Sequence, residues 1–130
     1  MRFLLDTNAM IGLLNRSSPK LEARVRQVPA SEIGISAIVV HELYYGAFKS
    51  QRVSENLERL GFIRLETVPL DREDAEAAGK IRAALAKSGT PIGPYDVLIA
   101  GQALARGLTL ITNNLREFKR IDGLKAEDWS

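Results

Sequence analysis

Three acids stand where the sequence around them is otherwise apolar: Asp6 in "RFLLDTNAMIGLL", Glu42 in "SAIVVHELYYGAFK" and Asp96 in "GPYDVLIAGQALA". An ionised carboxylate in apolar surroundings is costly unless something compensates it. Taken singly, each has an ordinary structural explanation. Asp6 follows a strand-like run and can cap the next helix. Glu42 suits a solvated helix edge or a buried ion pair. Asp96 lies in a first helical turn, where the macrodipole favours an anion. Taken together, they point to one shared site. Two carboxylates about 5 Å apart repel by roughly 3 kcal/mol at an effective dielectric of about 20, which keeps one of them protonated unless a cation intervenes. A divalent metal removes that conflict. The chain has no cysteine and a single histidine, so the available donors are oxygens, which select a hard ion, Mg²⁺ or Mn²⁺, over zinc.

The elements that must position these acids are well punctuated. "RFLL" reads as a strand and residues 8–15 as a helix, and "SSPKLEARVRQV" has Ser18 as N-cap with Pro19 at the first helical position. "IGIS" is a short strand, after which Ser36 caps a helix from Ala37 to about Phe48. A polar helix near "SENLERL", a strand around "FIRLETV" and a long helix capped by Asp71 and ending at Gly89 come next. Pro94 opens a further helix that Gly107 stops, and "LTLIT" is a strand leading into a short helix at "LREFKR". The closing "LKAEDWS" receives no assignment.

Strands separated by helices pair in parallel through right-handed crossovers, which gives an α/β fold with helices on both faces of a sheet. Ligands of such sheets bind beyond the carboxyl ends of the strands. Asp6 and the "TNN" of residues 112–114 both fall at such ends. In the Ala37–Phe48 helix, apolar residues cover nearly the whole circumference, so burial on most sides is expected.

Bulk properties bound the reading further. At 130 residues the chain suits a single domain, residues 1–130, burying roughly two-thirds of its unfolded surface. With 45% hydrophobic and 26% charged residues it has the composition of a globular protein. The absence of cysteine excludes disulfides and thiol catalysis. Asp6 and Asn8 interrupt the apolar N-terminus, no signal cleavage site follows, and no apolar run approaches the ~20 residues of a membrane span. A cytoplasmic protein is therefore expected. The net charge of +2 is too nearly balanced to argue for a polyanionic partner by itself.

In their order and spacing, "LLDTN", "HELYYGA", "GPYDVLIAGQA" and "LITNNLREFKRIDGLKAEDW" resemble a PIN-domain ribonuclease, and within that group the VapC toxins of bacterial toxin–antitoxin pairs. The resemblance spans nearly the whole chain. It implies a PIN-like three-layer α/β/α fold with a central, mainly parallel sheet. It also implies a metal-dependent endoribonuclease whose acids correspond to Asp6, Glu42 and Asp96, the three already singled out by their surroundings. With Mg²⁺ held there, a bound water would gain acidity and the leaving oxygen would be stabilised. Asp6 and Asp96 are the expected ligands, and Glu42 is a third, either direct or through water. The substrate implied is RNA, tRNA being one target class, and the implied partners are a second copy in a homodimer and a cognate antitoxin.

One departure is visible. Where many PIN domains carry a fourth acid two residues after the strand-end threonine, this chain has Asn114, a catalytic candidate that can orient a water or a metal ligand but adds no charge and so argues against a second tightly bound metal. Asn8 and Thr112 are expected to hold the carboxylates in place. Arg16, Arg82, Lys87, Arg116 and Lys119 are candidates for the RNA backbone, although scattered basic residues are commonly solvated surface.

Other activities fit less well. A haloacid-dehalogenase-like phosphatase wants a second acid two residues after the first, where Asn8 stands. "HELYY" lacks the second histidine of a zinc protease, and no phosphate-binding loop or nucleophile elbow is present. The rival from another class is a catalytically silent PIN-like module that binds RNA or a protein. Three acids kept at a cost in apolar segments argue against it.

Overall fold

Phe3, Leu4 and Leu5 are all buried, and a strand apolar on both faces belongs in the middle of a covered parallel sheet. In the computed structural model, which describes residues 1–130, they form β1. With β2 (Ile33–Ser36), β3 (Glu66–Val68), β4 (Thr109–Ile111) and β5 (Ala126–Glu127), β1 makes a five-stranded sheet in the order β3-β2-β1-β4-β5. Every neighbouring pair is parallel, so the sheet is wholly rather than mainly parallel.

Seven helices connect the strands: α1 (Thr7–Leu14), α2 (Pro19–Arg26), α3 (Ala37–Lys49), α4 (Val53–Gly61), α5 (Arg72–Lys87), α6 (Pro94–Arg106) and α7 (Leu115–Phe118). Their starts obey local chemistry. Asp6, Ser18, Ser36 and Asp71 each accept a hydrogen bond from a first-turn amide, and Asp71 does so in a reciprocal box with Asp74. Gly107 ends α6 at φ +65°, the left-handed conformation that favours glycine.

The chain winds outward from β1 through β2 to β3, returns through α5 and α6, and winds the other way from β4 to β5. Right-handed crossovers then set α1 to α4 on one face and α5 to α7 on the other, giving three layers. The order reverses between β1 and β4, and ligands of such sheets bind beyond the strands' carboxyl ends at that switch point. On the second face, α5 and α6 touch closely enough that a Cβ on Gly101 would lie 2.6 Å from the Cβ of Ala78. Arg106 at the end of α6 grips Asp74 with Nε and Nη2 at 2.9–3.3 Å and also reaches Asp71 and the Pro69 carbonyl.

Three expectations change. The strand around "FIRLETV" pairs only over Glu66–Val68, because Ile63 and Leu65 turn onto the core before the edge strand begins. The unassigned C-terminus supplies β5, held by its pairing to β4 and by Trp129. That ring is buried edge-on to Phe3 at 4.8 Å, and the Arg24 guanidinium lies 4.9 Å from its centroid. Finally, α3 is not enclosed on most sides. Val39, Leu43 and Ala47 face the core, but Tyr44, Tyr45 and Phe48 are 42%, 60% and 63% exposed. Apolar composition alone does not distinguish a buried helix from one that leaves a face open.

Candidate active site

Several elements bring side chains to the switch point. Asp6 ends β1 and caps α1: its Oδ1 accepts the Ala9 amide at 2.8 Å, which fixes the carboxylate against the start of the helix. It is buried, at 3% exposure. Thr112, also buried just past β4, accepts the Asn114 amide at 2.9 Å on its Oγ1, and its side chain lies near enough to Asp6 to favour that carboxylate's ionised form. With that oxygen accepting, the hydroxyl proton is free to face the acid.

Glu42 comes from the middle of α3 and is half-buried. Its Oε1 accepts the Thr7 hydroxyl at 2.6 Å, so the residue after Asp6 holds the second acid. Asn8, expected in that role, is exposed and makes no side-chain hydrogen bond to either carboxylate. Asp96 is in the first turn of α6, opened by Pro94.

Electrostatics show how these side chains share space. Burial pushes the Asp96 carboxyl from 3.8 up to about 6, and the charges of Asp6, Glu42 and Glu117 push it the same way. Burial also raises Asp6, opposed by the bonds from Thr112 and Ala9 and assisted by the charges of Glu42 and Asp128. The three acids selected from sequence therefore lie within each other's fields, and Glu117 joins them as a fourth.

Sequence reasoning missed Glu117 because it sits among charged neighbours in "LREFKR", where one more acid carries no signal. Asn114 does not stand in for the missing charge. Its amide donates to Glu117 Oε2 at 2.7 Å, so it positions the acid that supplies the charge one turn later. None of the ion pairs in the structure involves Asp6, Glu42, Asp96 or Glu117. Of the basic candidates, Arg16 is engaged by Glu22 at 2.8 Å, while Arg82, Lys87, Arg116 and Lys119 are exposed, the last two flanking Glu117 on and just after α7.

Such a cluster suits a hard cation. Its donors are oxygens, it is short of positive charge, and two of its members are pushed toward protonation. No three of the acids close on one point as a ready-made cage. That openness fits Mg²⁺, which commonly keeps several waters and takes one or two carboxylates together with substrate phosphate.

Residues 3–124 match the PIN domain family. Over 99% of its length the chain is 47% identical to the tRNA(fMet)-specific endonuclease VapC of Salmonella typhimurium, covering 98% of that protein. The chain is a PIN domain of the VapC family. A second relative, the tRNA(fMet)-specific endonuclease VapC of Shigella flexneri, is 42% identical over all of this PIN domain and 99% of its own length. Solved structures agree. The DNA-bound VapBC of Salmonella typhimurium contains a chain that superposes with a TM-score of 0.94 at 46% identity, covering 100% of this PIN domain and 99% of that chain. VapBC2 of Rickettsia felis, bound to a promoter DNA fragment, gives 0.92 at 35% identity with complete coverage of both chains. The three-layer fold with its parallel sheet is thus that of the family, and no helix is long and apolar enough to cross a membrane.

Proposed function

We propose that this PIN domain is an endoribonuclease acting as the toxin of a toxin–antitoxin pair, with tRNA as its substrate class and a divalent metal, Mg²⁺ or Mn²⁺, as cofactor. One observation carries the reading: at the switch point of the sheet the charge of Glu42 reaches Asp6, those of Asp6, Glu42 and Glu117 reach Asp96, and none of the four has a basic partner. Leaving them uncompensated works against folding, and a cation together with a phosphodiester relieves it.

Asp6, Glu42 and Asp96 are the residues assigned to the metal, with Glu117 adding negative charge near Asp96. When bound, the ion supplies Lewis-acid activation of water and neutralises charge on the phosphate. The protein's own part is orientation. Thr112 and the Ala9 amide fix Asp6, Thr7 fixes Glu42, and Asn114 fixes Glu117. The single histidine packs against Tyr95, and no second imidazole exists to act on a ribose 2′-hydroxyl. Attack by water from outside the sugar leaves a 5′-phosphate and a 3′-hydroxyl.

The test is to incubate the purified protein with total tRNA in Mg²⁺, in Mn²⁺ and in excess EDTA, then map the ends. Ion-dependent cleavage to 5′-phosphate and 3′-hydroxyl ends is expected. Cyclic-phosphate ends, or cutting undiminished by EDTA, would sink the mechanism. RNA binding without cleavage under any divalent ion would favour a silent binding module. An antitoxin fits the same electrostatics, since an uncompensated acid cluster attracts a guanidinium as readily as a metal. The test is co-purification of a small inhibitory partner from the native host; inhibition that survives neutralising every basic residue of its contacting segment would defeat that version. The open Tyr44–Phe48 stack on α3, with centroids 6.3 Å apart, is the face assigned to a homodimer.

A further inference from the structure

Two aromatic rings stand beside the acids without a part in the chemistry described above. His41 immediately precedes Glu42 on α3, and Tyr95 immediately precedes Asp96 on α6. The rings meet edge to face, with centroids 5.7 Å apart and planes at 74°. Both are exposed, Tyr95 at 46%, whereas Phe3, Phe118 and Trp129 are buried in the core. The pair therefore adds little to folding. In an edge-to-face pair, the ring whose edge points at its neighbour keeps both of its own faces open.

The arrangement continues away from the acids. Tyr45 lies one turn beyond His41 on the same side of α3 and is 60% exposed, and the Lys49 ammonium is 5.3 Å from its ring centroid. Four residues of helix advance about 6 Å. That is nearly twice the ~3.4 Å rise between stacked nucleotides, so a base fits between successive rings. Rings leading from an acidic centre to a cation give an order of contacts for a nucleic-acid strand: phosphate at the acids, bases on the rings, the next phosphate at the lysine.

We propose that the Tyr95–His41 pair is a stacking platform for the unpaired base flanking the scissile phosphate, with Tyr45 and Lys49 receiving the next nucleotide. The inference rests on the ribonuclease reading and specifies which RNA the site accepts: a single strand with splayed bases, selected by strand form more than by base identity. Bases within a duplex are already stacked and must be unstacked before an aromatic ring can reach their faces.

The experiment uses a short unstructured RNA carrying 2-aminopurine, alone and annealed to its complement. Cleavage kinetics are compared for the parent, Tyr95→Ala, His41→Ala and Tyr95→Phe, and 2-aminopurine quenching is read in the same series on an Asp6→Asn background. The single strand should be cut at least roughly ten-fold faster than the duplex. Tyr95→Ala and His41→Ala should each raise KM about ten-fold with a smaller effect on kcat and weaken the quench, at unchanged Tm, whereas Tyr95→Phe should retain both. If the parent cuts RNA but both alanine variants keep its KM and its quench, the platform is overturned and the ribonuclease reading stands. Loss of activity accompanied by dissociation of a dimer in sedimentation would also overturn it, by making the rings a protein contact. A parent that quenches through Tyr95 yet cuts no RNA with any divalent ion would leave the platform and remove the nuclease.

Discussion

Protonation governs how the acid cluster behaves without its cation. Asp96 titrates near 6 in the folded protein against 3.8 ordinarily, so the folded chain holds that proton more tightly than the unfolded chain. The resulting stabilisation is complete below the unfolded value and is lost as pH rises through the folded one. In metal-free buffer, Asp96→Asn should therefore flatten the fall in Tm between about pH 4 and 7 and raise Tm at neutral pH. A lower Tm for the variant at pH 7 would show that holding an ionised Asp96 in this buried, acid-lined place is not what costs stability. With metal present, Asp6→Asn, Glu42→Gln and Asp96→Asn should each cut tRNA cleavage by at least ~100-fold while leaving a folded protein, and Glu117→Gln should lower it by ~10-fold or more. Parental turnover in any of them would remove that residue from the site. Asn114→Asp should not strengthen the site: it sets a carboxylate against Glu117 in place of a donated hydrogen bond, and metal-free calorimetry should show a lower Tm. That Asp6, Glu42 and Asp96 lie within each other's fields was legible because apolar neighbours isolate them in sequence. Glu117 and the Thr7 support were not, since their roles depend on which elements the fold brings together.

Among the elements, the α5–α6 pair should respond most sharply to single changes. Gly101→Ala would force a Cβ against the backbone nitrogen of Ala78 at 2.7 Å, and an overpacked helix contact of this kind costs about 1–3 kcal/mol. Arg106→Met leaves Asp74, buried to 1% exposure, without its bidentate partner. Breaking such a pair costs about 3–5 kcal/mol when both members are enclosed, and less here because Arg106 is partly solvated. Urea denaturation should rank both variants below the parent, and parental midpoints would mean that the hairpin relaxes around the change. Helix boundaries were readable from Ser18, Ser36, Asp71, Pro94 and Gly107, whose chemistry is local. The extent of β3, the existence of β5 and the open face of α3 were not, since each depends on what lies alongside.

For the whole molecule, the parallel order β3-β2-β1-β4-β5 makes the first strand the central one and gathers the acids from along the chain. An assembly prediction belongs at this scale. If two copies close over the Tyr44–Phe48 stack, Phe48→Ser should shift sedimentation from dimer to monomer without lowering Tm by more than about 1 kcal/mol equivalent, because that ring is 63% exposed. An unchanged sedimentation coefficient would place the contact elsewhere. The same topology also sets a schedule. Asp6 leaves the ribosome first, but β1 gains its second neighbour only when β4 has emerged, after Asp96, and Glu117 follows later still. At ~5–20 residues per second, this interval is on the order of ten seconds. On the proposed ribonuclease reading, a nascent chain therefore lacks an assembled acid cluster for most of its synthesis, and a message broken upstream of the Asp96 codon yields a polypeptide without one of its acids.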